Sequence, residues 1–304
     1  MRLDHGSPKS VKGCRWGRSV CRGCRLFVLT SPQVQQALRM RSKGLVASGD
    51  SDRLAPPNSE RKGWKTVHVY VGNSVHFGGR QPPGGPAFWV SEAIQTMYVM
   101  RLLGFPRRGF FVDMGAFEAV DYSNSLSLEL YYDWDGICVE AGHRQLWSLS
   151  HRRCRVVYGL LSDGQDATYD TRSSDGHPSL SGIVSSTTDN AVPANAADTM
   201  KMPTVTIAKM LRDMGAPRDI DYMSVDIEGA ELQAFLDFPF DEYRVKVMTI
   251  ERPKPELRAK LTSVGFRVVR RIGHNLDVLY AHESLPGVDD LVSLWWNDCM
   301  GFCD

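Results

Sequence analysis

Two apolar runs far apart in the chain each end in a carboxylate and then a glycine: Gly109-Phe-Phe-Val-Asp-Met-Gly-Ala116 and Ile220-Asp-Tyr-Met-Ser-Val-Asp-Ile-Glu-Gly-Ala-Glu231. Each is short enough to be a buried parallel strand. In an open α/β sheet, ligands sit at the carboxyl ends of the strands, so Asp113 and Asp226 are expected to face one crevice. Acids at those positions, with no phosphate-binding loop, point to a nucleotide-like ligand held by carboxylates.

The residues around the first acid extend this reading. Asp113-Met-Gly115-Ala116 is a tight turn where a ligand can approach the backbone closely. Ser123-Asn124 opens the next helix, whose N–H groups face the same side. Cys138-Val-Glu140 places a carboxylate roughly 25 residues beyond the turn, where an acid hydrogen-bonds a ribose diol in dinucleotide folds; the competing reading is a helix-capping or solvated Glu. The first turn reads Gly-Ala-Phe-Glu-Ala-Val, not Gly-x-Gly-x-x-Gly, so no pyrophosphate site is expected. S-adenosylmethionine suits such a site better. It has a ribose and an adenine but no phosphate, and its sulfonium and amino charges favour nearby carboxylates.

Taken in order, Phe-Val-Asp113-Met-Gly-Ala, Ser123-Asn124, Trp134-Asp-Gly-Ile-Cys-Val-Glu140, the Ile220–Glu231 stretch and Thr249-Ile-Glu251-Arg-Pro resemble the FkbM-type methyltransferases. The resemblance runs from roughly Ser91 to His282, and Asp226-Ile-Glu-Gly-Ala-Glu231 is its most specific part. It implies a class I, Rossmann-like fold that binds S-adenosylmethionine and transfers methyl to a hydroxyl, often on a sugar or secondary metabolite. It also implies that Asp113, Gly115, Ser123 and Glu140 lie at the cofactor, with Ala116 and Asn124 beside them. Ser162-Asp163 would lie near the adenine, and Asp226 beside the methionine part and the methyl group. In one place the chain departs from the family: Phe117 and Ala119 stand where the first turn usually has Asn and Gly. A Cβ at Ala119 would crowd the ligand if that residue needed a positive φ.

Methyl transfer from a sulfonium is an in-line displacement, so alignment supplies much of the acceleration, and a base must take the hydroxyl proton. Asp226, Glu228 and Glu251 are the candidate catalytic residues, since all three stand at or just past central strand ends. Clustered carboxylates raise one another's pKa, which suits a base. Against this, Glu228 reads equally as a helix N-terminal acid and Glu251 as an ion-pair partner of Arg252 or Lys254. The same trio could hold Mg²⁺ through oxygen, but no metal site is predicted. His68, His76, His143 and His274 read as structural or solvated, whereas His177, in a long polar loop, could meet substrate if that loop is a lid.

These residues need an alternating strand–helix frame. Thr66 to Val71 is a short β-like run followed by a Gly/Pro-rich loop, and a helix from Ser91 ends near Gly104. Phe110–Met114, Gly136–Glu140 and Arg155–Gly159 read as strands, separated by helices over Ser123–Tyr132 and His143–Ser150. Residues 163–203, rich in Ser, Thr, Asp and Asn, read as a loop that is functional or disordered. A helix over Val205–Met214, N-capped by Thr204, resumes the rhythm. Strands over Asp221–Asp226 and Val245–Glu251 follow, with helices over Ala230–Leu236 and Glu256–Val264. Phe266–Val269 and Leu276–Ala281 make a closing hairpin. The expected fold is a doubly wound, mostly parallel, Rossmann-like α/β sheet with a C-terminal antiparallel hairpin.

The net charge of +1 conceals an asymmetry: residues 1–65 hold 14 Lys/Arg against 4 Asp/Glu, and the remainder 22 against 31. The basic segment is expected to be a disordered extension, residues 66–285 the methyltransferase-like domain, and 286–304 a tail. Nucleic-acid binding is not expected, because the body is acidic and the extension carries no module pattern. No apolar stretch is long enough to span a membrane. A cytoplasmic location is expected, with organelle import through the basic N-terminus as the alternative. Cys14, Cys21 and Cys24 lack a fourth zinc ligand. Cys138 and Cys154 read as reduced core thiols, and Cys299 and Cys303 could bridge if exported. The expected partner is a small-molecule or glycan hydroxyl; the alternative is a catalytically inactive methyltransferase-like binding module.

Overall fold

The computed structural model describes residues 68–71, 89–91, 93–172, 178–189, 198–272, 277–288 and 290. The expectations for the N-terminal extension, the Gly/Pro-rich loop, Cys14, Cys21, Cys24, Cys299, Cys303, His76, His177 and His274 lie outside those residues.

After the short strand β1 (His68–Val71) comes helix α1 (Gln95–Leu103), which leads into β2 (Phe110–Met114), α2 (Leu126–Tyr132) and β3 (Asp135–Glu140). A single turn, α3 (Leu146–Leu149), precedes β4 (Arg155–Tyr158). The second half holds β9 (Asp219–Val225), α5 (Glu231–Phe235), β10 (Arg244–Glu251), α6 (Pro255–Ser263), β11 (Phe266–Ile272) and β12 (Asp277–His282). These strands form one eight-stranded sheet in the order β1-β4-β3-β2-β9-β10-β12-β11. Parallel pairing runs from β4 through β10, while β1 pairs antiparallel with β4 and β12 antiparallel with both β10 and β11.

The sheet is doubly wound because its central strands are apolar on both faces. In β2 all five residues are buried. Phe111, Cys138 and Val156 pack into one apolar cluster with Val99 and Leu128 from α1 and α2. Their alternates Val112, Ile137 and Val157 pack into a second with Phe235, Leu257 and Leu261 from α5 and α6. This period-2 division is what fully buried parallel strands require. The C-terminal strands pair antiparallel as expected, and residues 273–276 between them lie outside the described set.

Residues 163–203, expected as a loop, instead contribute to a small second sheet. Strands β5 (Leu160–Leu161), β6 (Asp166–Asp170), β7 (Gly182–Ile183) and β8 (Thr199–Val205) lie in the order β5-β8-β6-β7. The polar composition hides it, since few large side chains such as Tyr169, Ile183 and Met202 are buried there. Because Thr204 and Val205 finish β8, the following helix α4 (Ile207–Asp213) starts later than expected, and its cap is Thr206, which accepts from the Lys209 N–H at 3.2 Å. Helix α1 likewise begins at Gln95, not Ser91, and ends as expected on Gly104 at φ 74°.

Cys138 and Cys154, expected as reduced thiols, are joined in a disulfide with their Cα atoms 6.0 Å apart. Cys138 lies opposite Val156 in the ladder, and Cys154 is two residues before Val156, so both side chains leave the same sheet face. Helical and turn residues separate them in the chain, and the ladder register alone brings them together. Peptide mapping without reductant is expected to recover Cys138 and Cys154 as one linked pair; two separately alkylated thiols would contradict the bond.

Candidate functional site

The chain builds β2, β3 and β4 outward on one side and then crosses back to place β9 on the other side of β2. This reversal leaves a crevice at the carboxyl ends of β2 and β9, the place where open α/β sheets bind ligands. A cavity of about 370 Å³ lies there, lined by Gly115, Glu140, Asp226, Glu228 and Glu251 from the strand ends. Tyr169 and the 3₁₀ turn Pro178–Leu180 of the small sheet close it on another side.

Gly115 joins the two halves. The Asp226 N–H donates to the Met114 carbonyl, and the Gly115 and Ala116 N–H groups both donate to the Val139 carbonyl, each at 3.0 Å. Gly115 has φ +78°, and a Cβ there would overlap the Asp226 carbonyl oxygen. The turn thus needs glycine for both its dihedral and its space. Two residues on, Phe117 adopts φ 48° and its N–H donates to Glu140 Oε2 at 2.8 Å. Ala119 is not among the positive-φ residues, so the crowding expected from its Cβ does not arise. It is buried, with its N–H donating to Ser148 Oγ at 3.3 Å. Phe117, Tyr122, Glu228 and Arg252 all combine a positive φ with a place on the cavity wall. Left-handed non-glycine residues cost energy and collect at functional sites.

Asp113 stands one layer behind the cavity. Its Oδ2 accepts from Ser125 Oγ at 2.5 Å, and its Oδ1 is buried without a partner among the described residues. Burial pushes its pKa up, opposed by the Ser125 hydrogen bond and the Arg152 charge. Asn124 lines the cavity, donates from Nδ2 to Ser224 Oγ at 2.9 Å and keeps a buried Oδ1 with no partner among the described residues.

Glu140 uses both oxygens on backbone. Oε2 holds Phe117, and Oε1 accepts from the Gly142 N–H at 2.6 Å. Burial nevertheless raises its pKa to about 7. Across the cavity, ligand oxygens of Asp226, Glu228 and Glu251 lie within 4.8 Å of one another. The Arg252 guanidinium answers them, 3.0 Å from Glu228, 2.9 Å from Glu251 and 3.2 Å from Asp189 in the loop after β7. Burial and the Glu251 charge raise Asp226. The same two causes bring Glu228 to about 7. Glu231, which accepts from the Ile227 and Gly229 N–H groups, is also raised to about 7 by burial.

Of the residues singled out from sequence, Gly115, Asn124, Glu140, Asp226, Glu228 and Glu251 come together on the cavity wall. Asp113, Ala116 and Ser123 are buried just behind it. Ser162 and Asp163 are not on the wall: the Ser162 N–H donates to the Val205 carbonyl, and Asp163 Oδ1 caps the Gln165 N–H at 3.0 Å. Gln95, Tyr122 and Tyr169 are among the wall residues not picked out from sequence. Gln95 Nε2 donates to Asp277 Oδ2 at 2.5 Å, Tyr169 is buried beside the Pro178–Leu180 turn, and Tyr122 pairs with Phe117 at a ring distance of 6.4 Å. Gln95 and Tyr169 carried no local signal, whereas the unusual Phe117 pointed to its own neighbourhood.

A doubly wound, mostly parallel sheet with a crevice at its switch point is the architecture of Rossmann-like proteins, a class that includes methyltransferases. A family model described as the methyltransferase FkbM domain matches residues 113–268. The chain belongs to that family, and membership implies a methyl donor. No curated protein and no solved structure matches the chain.

Two outcomes follow for this site. Gly115→Ala is expected to destabilise the fold by at least about 3 kcal/mol, read by urea denaturation, because it adds strain and overlap together. Glu228 binds a proton more tightly folded, at about 7, than at its ordinary 4.5. Its contribution to stability is therefore present in full at low pH and is lost as pH rises through 7. Between about pH 4.5 and about pH 7, Glu228→Gln should show a shallower fall in unfolding free energy than wild type; an unchanged slope would refute the shift.

Proposed function

We propose that this domain is an S-adenosylmethionine-dependent O-methyltransferase acting on a hydroxyl of a sugar or small metabolite. The observation that carries the reading is the convergence of Glu140, Asp226, Glu228 and Glu251 on one cavity at the switch point. Such walls favour a cationic, ribose-bearing ligand. S-adenosylmethionine suits the residues present: Glu140 for the ribose, Asp226 and Asn124 for the charged methionine end, and Gly115 for close backbone approach. When bound, it supplies the electrophilic methyl group.

The chain's own residues do the rest. Burial and the Glu251 charge bring Glu228 to about 7, which suits a group that must take a hydroxyl proton. Arg252 holds Glu228 and Glu251 in place. Because a guanidinium already lies on two of the three acids, the reading includes no metal. Tyr169 and the Pro178–Leu180 turn narrow the cavity on the side where an acceptor would be selected. The inactive-module alternative drew on the altered first turn, and the ordinary φ of Ala119 removes much of that support. The Cys138–Cys154 disulfide favours an oxidising compartment over the cytoplasm expected from sequence.

Calorimetric titration of S-adenosylmethionine into the full chain is expected to show binding in the micromolar range, weakened at least about tenfold in Asp226→Asn. Glu228→Gln is expected to keep binding but lose transfer of labelled methyl to a hydroxylated acceptor. A folded wild-type protein that gives neither heat nor thermal shift would leave a methyltransferase-shaped module without this cofactor.

A further inference from the structure

We infer that Arg152 is a positioning residue for the cofactor site: its guanidinium grips the turn that opens α2 and, through Ser125, fixes where the Asp113 carboxylate points. This rests on the S-adenosylmethionine reading above. In sequence Arg152 sits in His151-Arg-Arg-Cys154, a basic run that looks like a solvated surface. In the fold its side chain is fully buried and pairs with buried Glu129 at 2.9 Å.

An ion pair alone does not account for the geometry. Arg152 Nη2 also donates to Ser125 Oγ at 3.0 Å, and Nη1 donates to Ser123 Oγ at 2.9 Å and to the Ala119 carbonyl at 3.3 Å. Three of its four contacts thus go to residues 119–125, while its buried Nε has no partner among the described residues. A fork placed to satisfy itself would not leave a donor unmade. Glu129 Oε1 also accepts from the Cys154 N–H at 3.1 Å, and Oε2 from the Arg153 N–H at 3.1 Å. The carboxylate is therefore already occupied by the start of β4, and the guanidinium is turned toward the serines.

Ser125 relays this hold. Accepting from Arg152 leaves its hydroxyl proton free to donate to Asp113 Oδ2; Ser224, which accepts from Asn124 on the cavity wall, also bonds this carboxylate, so the hold reaches the cavity through Asn124. Ser123 Oγ, gripped by the other arm, accepts from the Leu126 N–H at 3.1 Å and fixes the turn that carries Asn124. The charged and titratable groups facing Asp113 are Arg152 and Glu129 on this side, Glu140 from β3 and Tyr222 from β9. Among them Arg152 is the cation, and it favours the ionised carboxylate.

The test is titration of S-adenosylmethionine into full-length wild type, Ser125→Ala, Arg152→Lys and Arg152→Met, with melting curves alongside. Ser125→Ala cuts the relay but leaves the Arg152–Glu129 pair, so it decides the question even if Arg152→Met fails to fold. Expected are at least about tenfold weaker binding in Ser125→Ala and Arg152→Lys, and less than additive loss when the two are combined. In folded Arg152→Met the acid limb of binding should move to higher pH, because Asp113 loses its cation; loss of packing alone would not move it. Variants that bind like wild type while melting lower would overturn the proposal and leave the cofactor reading standing. Absence of binding by wild type would remove both.

Discussion

At the carboxyl edge of the sheet, Glu140, Asp226, Glu228 and Glu251 share a cavity in which Arg252 is the one cation among the described wall residues. Crowding acids into half-buried space is costly unless protons, backbone N–H groups or guanidinium groups compensate. The fold uses all three. Glu140 is held by two loop N–H groups, Glu231 by two more, Glu228 and Glu251 by Arg252, and Asp226 is held toward its neutral form. The positive φ at Phe117 and Glu228 is part of the same arrangement, since each lies in a loop bent to bring its polar groups to a carboxylate or a cation.

The two guanidinium groups divide the work by depth. Arg252 is partly exposed and ties β10 to the loop after β7, linking the small sheet to the acid trio. Arg152 lies fully inside and ties the α2 turn to the start of β4. Between them the first and second halves of the doubly wound sheet meet at Gly115, where backbone touches backbone.

The central strands were legible because burial on both faces leaves an uninterrupted apolar run, and the acids at their ends interrupt it visibly. Asp113, Glu140 and Asp226 could be placed at strand ends for that reason. Helix starts were less legible: Ser91 and Thr204 have capping chemistry, yet Ile94 and Thr206 hold the cap positions because neighbouring strand and turn bonds claim the earlier residues. The small sheet was hidden by its polar faces. The disulfide and the wall residues Gln95 and Tyr169 depend on contacts between segments distant in the chain, for which no local pattern exists. Ser162 and Asp163 followed a strand end as expected, but β5 turns that segment toward β8 and away from the crevice.

The hydrogen bond from Gln95 to Asp277 joins a residue preceding the family-matched stretch to one following it. Since Gln95 also forms part of the cavity wall, the unit that builds the cavity is longer than the stretch by which kinship is recognised. Moving only residues 113–268 into a relative would transplant the acids and leave the Gln95–Asp277 clasp behind. In this chain, ancestry can be traced through a shorter segment than the one that must be inherited whole.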